Sequence, residues 1–174
     1  MRLLAPILCA AVANARLFDA FRFGSLFQLD DEPVEIVASD SKPIPGNTPV
    51  EICEAGRPQL FNFTDLTLDP PLPTGGENLT ISAAGVLFTE LTEGAYVQVI
   101  VKYGLIGLVN QRYDLCTYLP EVGYECPVSP GEVTISKTLE IPVIPPGKYL
   151  VLAKAFTEDD KLLSCLHAEV VLGM

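Results

Sequence analysis

The chain has 174 residues, with 22 acidic against 11 basic side chains and a formal charge of −11. That charge repels nucleic acid and excludes a polybasic membrane anchor, though not a carrier of lipid. A chain of this length fits one domain with its own core. It opens "MRLLAPILCAAVANA": Arg2 supplies a short positive region, and the apolar run 3–12 is shorter than the ~20 residues a membrane helix needs. Ala13-Asn14-Ala15 is the small-x-small pattern cut by signal peptidase. The reading predicts a signal peptide over 1–15, removed together with Cys9, and no later stretch is long and apolar enough for a transmembrane helix. The product enters the secretory pathway, bound for the vacuole lumen or secreted. Residues 16–41, including "DDEPVEIVASD", are acidic and proline-containing without apolar periodicity, so they read as propeptide or linker. The domain is expected over 42–174.

Within it, strand signals of period two recur between turn residues. Strands are predicted over 50–54, 60–68, 79–88, 94–104, 106–115, 132–142, 148–156 and 162–172, separated by turns such as "DPPLPTGGEN", "PVSPG" and "PVIPPG". In the fourth, Ala95, Val97, Val99, Val101 and Tyr103 share one face; in the sixth, Val133, Ile135, Leu139 and Ile141 do so. No stretch sustains helical spacing over three turns. Eight short strands of this kind predict an all-β, immunoglobulin-like antiparallel β-sandwich, here without a tryptophan.

Four cysteines remain after the signal peptide, Cys53, Cys116, Cys126 and Cys165, an even number in an oxidising compartment. Zinc ligands cluster in closely spaced pairs and a redox pair prefers C-x-x-C; neither spacing occurs, which leaves disulfides. Of the three pairings four cysteines permit, Cys116–Cys126 with Cys53–Cys165 is the simplest. Asn62-Phe63-Thr64 and Asn78-Leu79-Thr80 are glycosylation sequons, at Asn62 on a strand and at Asn78 after a turn. His167, the one histidine, sits in a strand and reads as structural rather than catalytic. Glu158, Asp159 and Asp160 form a hairpin tip, a solvated turn rather than a calcium site. No nucleophile elbow, metal motif or phosphate loop occurs, so neither an enzyme, a metal nor a cofactor is expected.

The composition is 49% hydrophobic, and both faces of "YGLIGLV" and "KYLVLAKAF" carry apolar groups. Burial against another chain, a thick core, and an apolar cavity between the sheets each account for that. The stretches "EGAYVQVIVKYGLIGLVNQRYDLC", "YECPVSPGEVTISKTLEIPVIPPGKYLVLAKAF" and "DDKLLSCLHAEVVL" resemble the ML lipid-recognition family. The likeness is greatest to the fungal phosphatidylglycerol/phosphatidylinositol transfer proteins, relatives of the soluble Niemann–Pick sterol carrier, and it runs from about residue 49 to 172. It implies a secreted sandwich whose sheets splay around a lipid, and it lands the family's disulfides on Cys53–Cys165 and Cys116–Cys126. Animal sterol carriers have one further short-range disulfide that this chain lacks, which favours the phospholipid-transfer branch. The implied function is intermembrane transfer of phospholipid without catalysis or cofactor, by a monomer that touches membranes transiently. Sterol transport by the same fold and a lipid-sensing protein-interaction module are the alternatives. Given such a cavity, the alternation turns Val97, Val99, Val101, Ile135 and Leu139 between the sheets, with Val86 and Phe88 beside them. Lys137 is the cation on that apolar face. It either reaches past the rim to water, as lysines commonly do, or meets an anionic lipid phosphate.

Overall fold

The computed structural model describes residues 40–172, residue 144 excepted. The expected signal peptide with Cys9, and the segment 16–39, lie outside the described residues. Nine strands occur among the described residues: β1 (Lys42–Pro43), β2 (Val50–Ile52), β3 (Phe61–Asp69), β4 (Asn78–Leu87), β5 (Tyr96–Tyr103), β6 (Ile106–Asp114), β7 (Gly131–Glu140), β8 (Gly147–Phe156) and β9 (Leu162–Leu172). They pair antiparallel in two sheets, ordered β1-β2-β9-β8-β5-β6 and β3-β4-β7. The eight expected strands are therefore present. The sequence pattern did not show β1, which is only two residues long.

Alternation decides which residues face inward. In β7, Val133, Ile135, Lys137 and Leu139 are half-buried, while Glu132, Thr134, Ser136 and Thr138 are exposed. On β4, Leu79, Ala83, Gly85 and Leu87 are buried. Gly85 is required there, because a Cβ at that position would come within 2.5 Å of the Phe61 ring. A bulge between Phe63 and Asp65 reverses the parity of β3, so Phe61, Phe63 and Leu66 share the inner side opposite Leu87, Gly85 and Ala83.

Backbone bonds from Leu66 to Pro45 and from Leu68 to Asn47 tie the β1–β2 segment to β3, which closes one side of the sandwich. On the opposite side the edges β6 and β7 are not paired with each other. The three hairpin turns β3–β4, β5–β6 and β7–β8 gather at one end. There Gly76 N–H reaches Ile141 O (2.7 Å) and Gly104 N–H reaches Lys148 O (3.2 Å). At the other end, β6 runs into a helical loop. Asp114 caps α1 (Leu115–Tyr118) by accepting from Thr117 N–H at 2.9 Å, which stops the strand. A single 3-10 turn (Leu119–Val122) follows and ends at Gly123 in the left-handed region (φ 87°). No helix was foreseen here, since four residues are too few to display a 3.6-residue period.

Both expected disulfides are present, Cys53–Cys165 across 112 residues and Cys116–Cys126 across 10. The first joins the end of β2 to β9 and is fully enclosed at Cys165. The second closes the base of the helical loop.

Candidate functional site: an apolar cavity between the sheets

Where the helical loop meets the sandwich, a partly open cavity of about 220 Å³ lies between the two sheets. Its origin is missing side-chain volume. On the large sheet Ala153 and Ala155 of β8 and Ser164 of β9 face inward, and on the small sheet Ala83 lies opposite them. Neighbouring positions carry large groups: Phe61 and Phe63, with rings 4.8 Å apart, and Leu87 and Leu163. The surrounding core cannot collapse into the gap, because packed interiors relax only in part around lost volume. Correspondingly, two separate buried clusters border it. One contains Leu87, Leu91, Val128 and Leu163, and the other Ile44, Leu66 and Ala83.

The helical loop is the third wall. Leu115, Leu119, Val122 and Tyr124 reach inward from it. It is fastened to the unpaired edge of β7 in two ways. The Tyr124 hydroxyl accepts from Thr134 N–H (3.0 Å) and donates to Thr134 O (3.2 Å), taking the place of a missing neighbouring strand. Glu121 pairs with Lys137 at 3.0 Å, both half exposed. The Cys116–Cys126 disulfide and the Leu91–Val128 bridge hold the loop's base. The loop thus spans one end of the open side between β6 and β7.

Of the residues expected at a lipid site, Val97 and Ile135 lie on the cavity wall. Val99, Val101 and Leu139 share their inner faces but sit further along the strands, toward the hairpin end and outside the wall; Val101 is buried there and Leu139 pairs with buried Leu79. Val86 and Phe88 do not face inward. The register that seats Gly85 and Leu87 inside turns Val86 to the outer side, beside Thr64 and Thr134, and Phe88 follows the strand at 60% exposure. Lys137 is on the inner side of β7, two residues from Ile135, with Glu121 as partner. "KYLVLAKAF" is less two-sidedly bulky than expected, because its inner side beyond Val151 carries only Ala153 and Ala155.

Sequence reasoning missed the loop wall and the small-residue floor. The first had only a faint mark, in that Leu115, Leu119 and Val122, on either side of Cys116, recur at helical spacing over a run too short to establish a helix. The second had a weaker mark in the alternating alanines of β8.

Other candidates resolve simply. Asn62 and Asn78 are both exposed, and the register places them on the outer face of the small sheet. His167 faces outward opposite Glu51, its Nε2 3.6 Å from a carboxylate oxygen. Asp159 is engaged by Lys161 (2.7 Å) and Asp160 by the Tyr96 hydroxyl (2.8 Å). No cluster of three metal-ligating side chains occurs among the described residues.

Compared with known proteins, residues 47–172 match the ML domain family. The phosphatidylglycerol/phosphatidylinositol transfer protein of Candida albicans is 46% identical over 133 residues, 76% of this chain and 69% of that one. Its namesake in Kluyveromyces lactis is 43% identical over 169 residues, 95% of this chain and 92% of that one. A Niemann-Pick type C2 protein from the Japanese carpenter ant covers 70% of this chain and 97% of its own, with a TM-score of 0.54. At 14% identity that likeness concerns the fold alone.

Proposed function

The chain belongs to the ML domain family, and from that premise we propose that it is a non-enzymatic carrier that moves phospholipid, of the phosphatidylglycerol or phosphatidylinositol class, between membranes. The observation that carries this reading is the apolar cavity between the sheets, walled on its third side by a disulfide-stapled loop. Each methylene moved from water into such a space contributes about 0.8 kcal/mol, so a single acyl chain supplies enough to hold a lipid in solution. At about 220 Å³ the cavity is below the ~300–1,000 Å³ of ordinary ligand sites, so loading requires the sheets to part. The open side between β6 and β7 is where they can do so, since no ladder of hydrogen bonds has to break. Val99, Val101 and Leu139 then line the widened space beside Val97 and Ile135.

Lys137 on the β7 edge of that opening supplies the cation for a lipid phosphate, in exchange for Glu121. Membrane contact is transient and made by the hairpin end. Leu72, Leu105, Ile106 and Val143 are all exposed there, and the opening between β6 and β7 runs from those tips to the helical loop. The protein acts as a monomer in the secretory pathway, in the vacuole lumen or outside the cell, where its disulfides persist. Asn62 and Asn78 carry glycans on the face turned away from the opening.

The test is transfer between vesicles. Donor vesicles carry fluorescent phosphatidylglycerol or phosphatidylinositol, and acceptors carry neither. Catalytic amounts of protein should accelerate lipid exchange without cleaving the lipid. Transfer no faster than spontaneous exchange, or release of a lipid fragment, would refute the reading.

A further inference from the structure

We propose that Ser164 is the polar contact inside the cavity, and that it hydrogen-bonds a neutral oxygen, carbonyl or hydroxyl, in the buried part of the lipid. The proposal rests on the carrier reading and adds a chemical feature of the ligand.

Two buried side-chain polar atoms among the described residues have no hydrogen-bond partner, Ser164 Oγ and His167 Nδ1. His167 is on the outer face of the large sheet, opposite Glu51. Ser164 is on the inner face, belongs to the cavity wall and is only 7% exposed; its hydroxyl is covered by neighbouring wall atoms in this state, and a ligand reaches it as the sheets part. Native proteins leave few buried polar groups unmade, because each forfeits its hydrogen bonds to water. No protein group around Ser164 relieves it. Its ladder partner is Ala155, and Leu163, Leu166 and Val97 share the wall. The wall's other hydroxyl, that of Tyr124, is spent on Thr134.

What would satisfy Ser164 follows from its chemistry. A serine hydroxyl donates one bond and accepts two, and it rotates among staggered positions, so a carbonyl or a hydroxyl serves equally well. A phosphate does not, since burying its charge beside apolar side chains without a cation is prohibitive. The nearest lysine in sequence, Lys154, points to the opposite face of the sheet, where it pairs with Glu54. A bare hydrocarbon would fill the cavity and leave the hydroxyl as orphaned as before. The wall therefore favours a ligand with one neutral oxygen at that depth. An ester carbonyl of a diacyl lipid and a sterol hydroxyl both qualify.

Two matched ligand pairs test this and separate the sources. The first is diester against diether phosphatidylglycerol, differing only in the carbonyls; the second is cholesterol against cholestane, differing only in the hydroxyl and ring unsaturation. Binding is measured for the wild type, Ser164→Ala and Ser164→Thr. The wild type should prefer the oxygen-bearing member of one pair by about fivefold, the net worth of a single hydrogen bond. Ser164→Ala should abolish that preference while binding the oxygen-free member within twofold of the wild type, and Ser164→Thr should restore it. The pair that shows the effect identifies the source of the oxygen. Lipid-free Ser164→Ala should melt no lower than the wild type. If Ser164→Ala keeps the wild-type preference, or the wild type has none, the proposal fails while the carrier reading stands. If the wild type binds none of the four, both fall.

Discussion

Ala155→Leu probes the cavity from its floor. Ala155 lies between Val97 on β5 and Ser164 on β9, and its methyl faces the space between the sheets. Leucine adds three carbons. If the space is a void, those carbons bury without displacing protein atoms, and at about 0.8 kcal/mol each the lipid-free protein gains about 2 kcal/mol. If the position is instead a filled core, over-packing costs roughly 1–3 kcal/mol. The sign of the change therefore separates the two cases. The same three carbons occupy room the acyl chain would use, so lipid binding should weaken by a similar amount, a factor of about 30–50. Thermal melts of lipid-free protein with lipid-binding titrations measure both quantities. A variant that is less stable and still loads lipid normally would refute the placement of the cavity.

Further outcomes follow from single contacts. Lys137→Met should weaken transfer of anionic lipids while leaving zwitterionic lipids unaffected, with a loss of roughly 1–3 kcal/mol for a charge-assisted hydrogen bond; equal transfer of both classes would make Lys137 a rim lysine only. The double change Cys116→Ser with Cys126→Ser opens a 10-residue loop and should lower stability by about 3 kcal/mol on the chain-entropy account. It should also speed lipid release as the third wall loosens; an unchanged release rate would show that the loop does not retain the lipid. The hydrogen bond from Lys154, helped by one from Arg57, holds the Glu54 carboxyl below its ordinary value of 4.5. Because the folded value is the lower one, this contribution to stability is complete above pH 4.5 and is lost as pH falls below it. Glu54→Gln should flatten the acid limb of the melting profile and leave the neutral limb's shape unchanged; an unchanged acid limb would show that Glu54 does not set it.

The strands were legible because short segments of period two lie between turn residues, and β7 shows this most clearly, with Val133, Ile135 and Leu139 on one face and Thr134, Ser136 and Thr138 on the other. Parity failed where both faces are apolar. In "LTISAAGVLF" Leu79 and Ile81 alternate with Thr80 and Ser82, but from Ala83 onward the odd and even positions look alike, and the Phe61 ring resting on Gly85, a contact across strands, seats the odd ones inside. A cavity between the sheets was implied by the family resemblance, but its place there was out of reach for a related reason. The cavity is an absence of volume assembled from Ala83 on β4 and from Ala153, Ala155 and Ser164 on the β8–β9 hairpin, small residues that singly carry no mark. The helical loop lay between those cases: its cysteines marked it as a staple, but only the fold turns Leu119, Val122 and Tyr124 toward a common space. Lys137 was picked out as the cation on an apolar face, while its partner Glu121 belongs to a turn 16 residues away and had no mark of its own.

The central claim is that the space between the sheets holds a lipid. Native mass spectrometry of the mature protein purified from a eukaryotic secretory host, without detergent or organic solvent, measures this directly. The account predicts a species heavier than the polypeptide with its glycans by the mass of one phospholipid, removed on collisional activation and strongly reduced in Ala155→Leu. A single species at the mass of the polypeptide with its glycans, unchanged after incubation with phosphatidylglycerol vesicles, would contradict it.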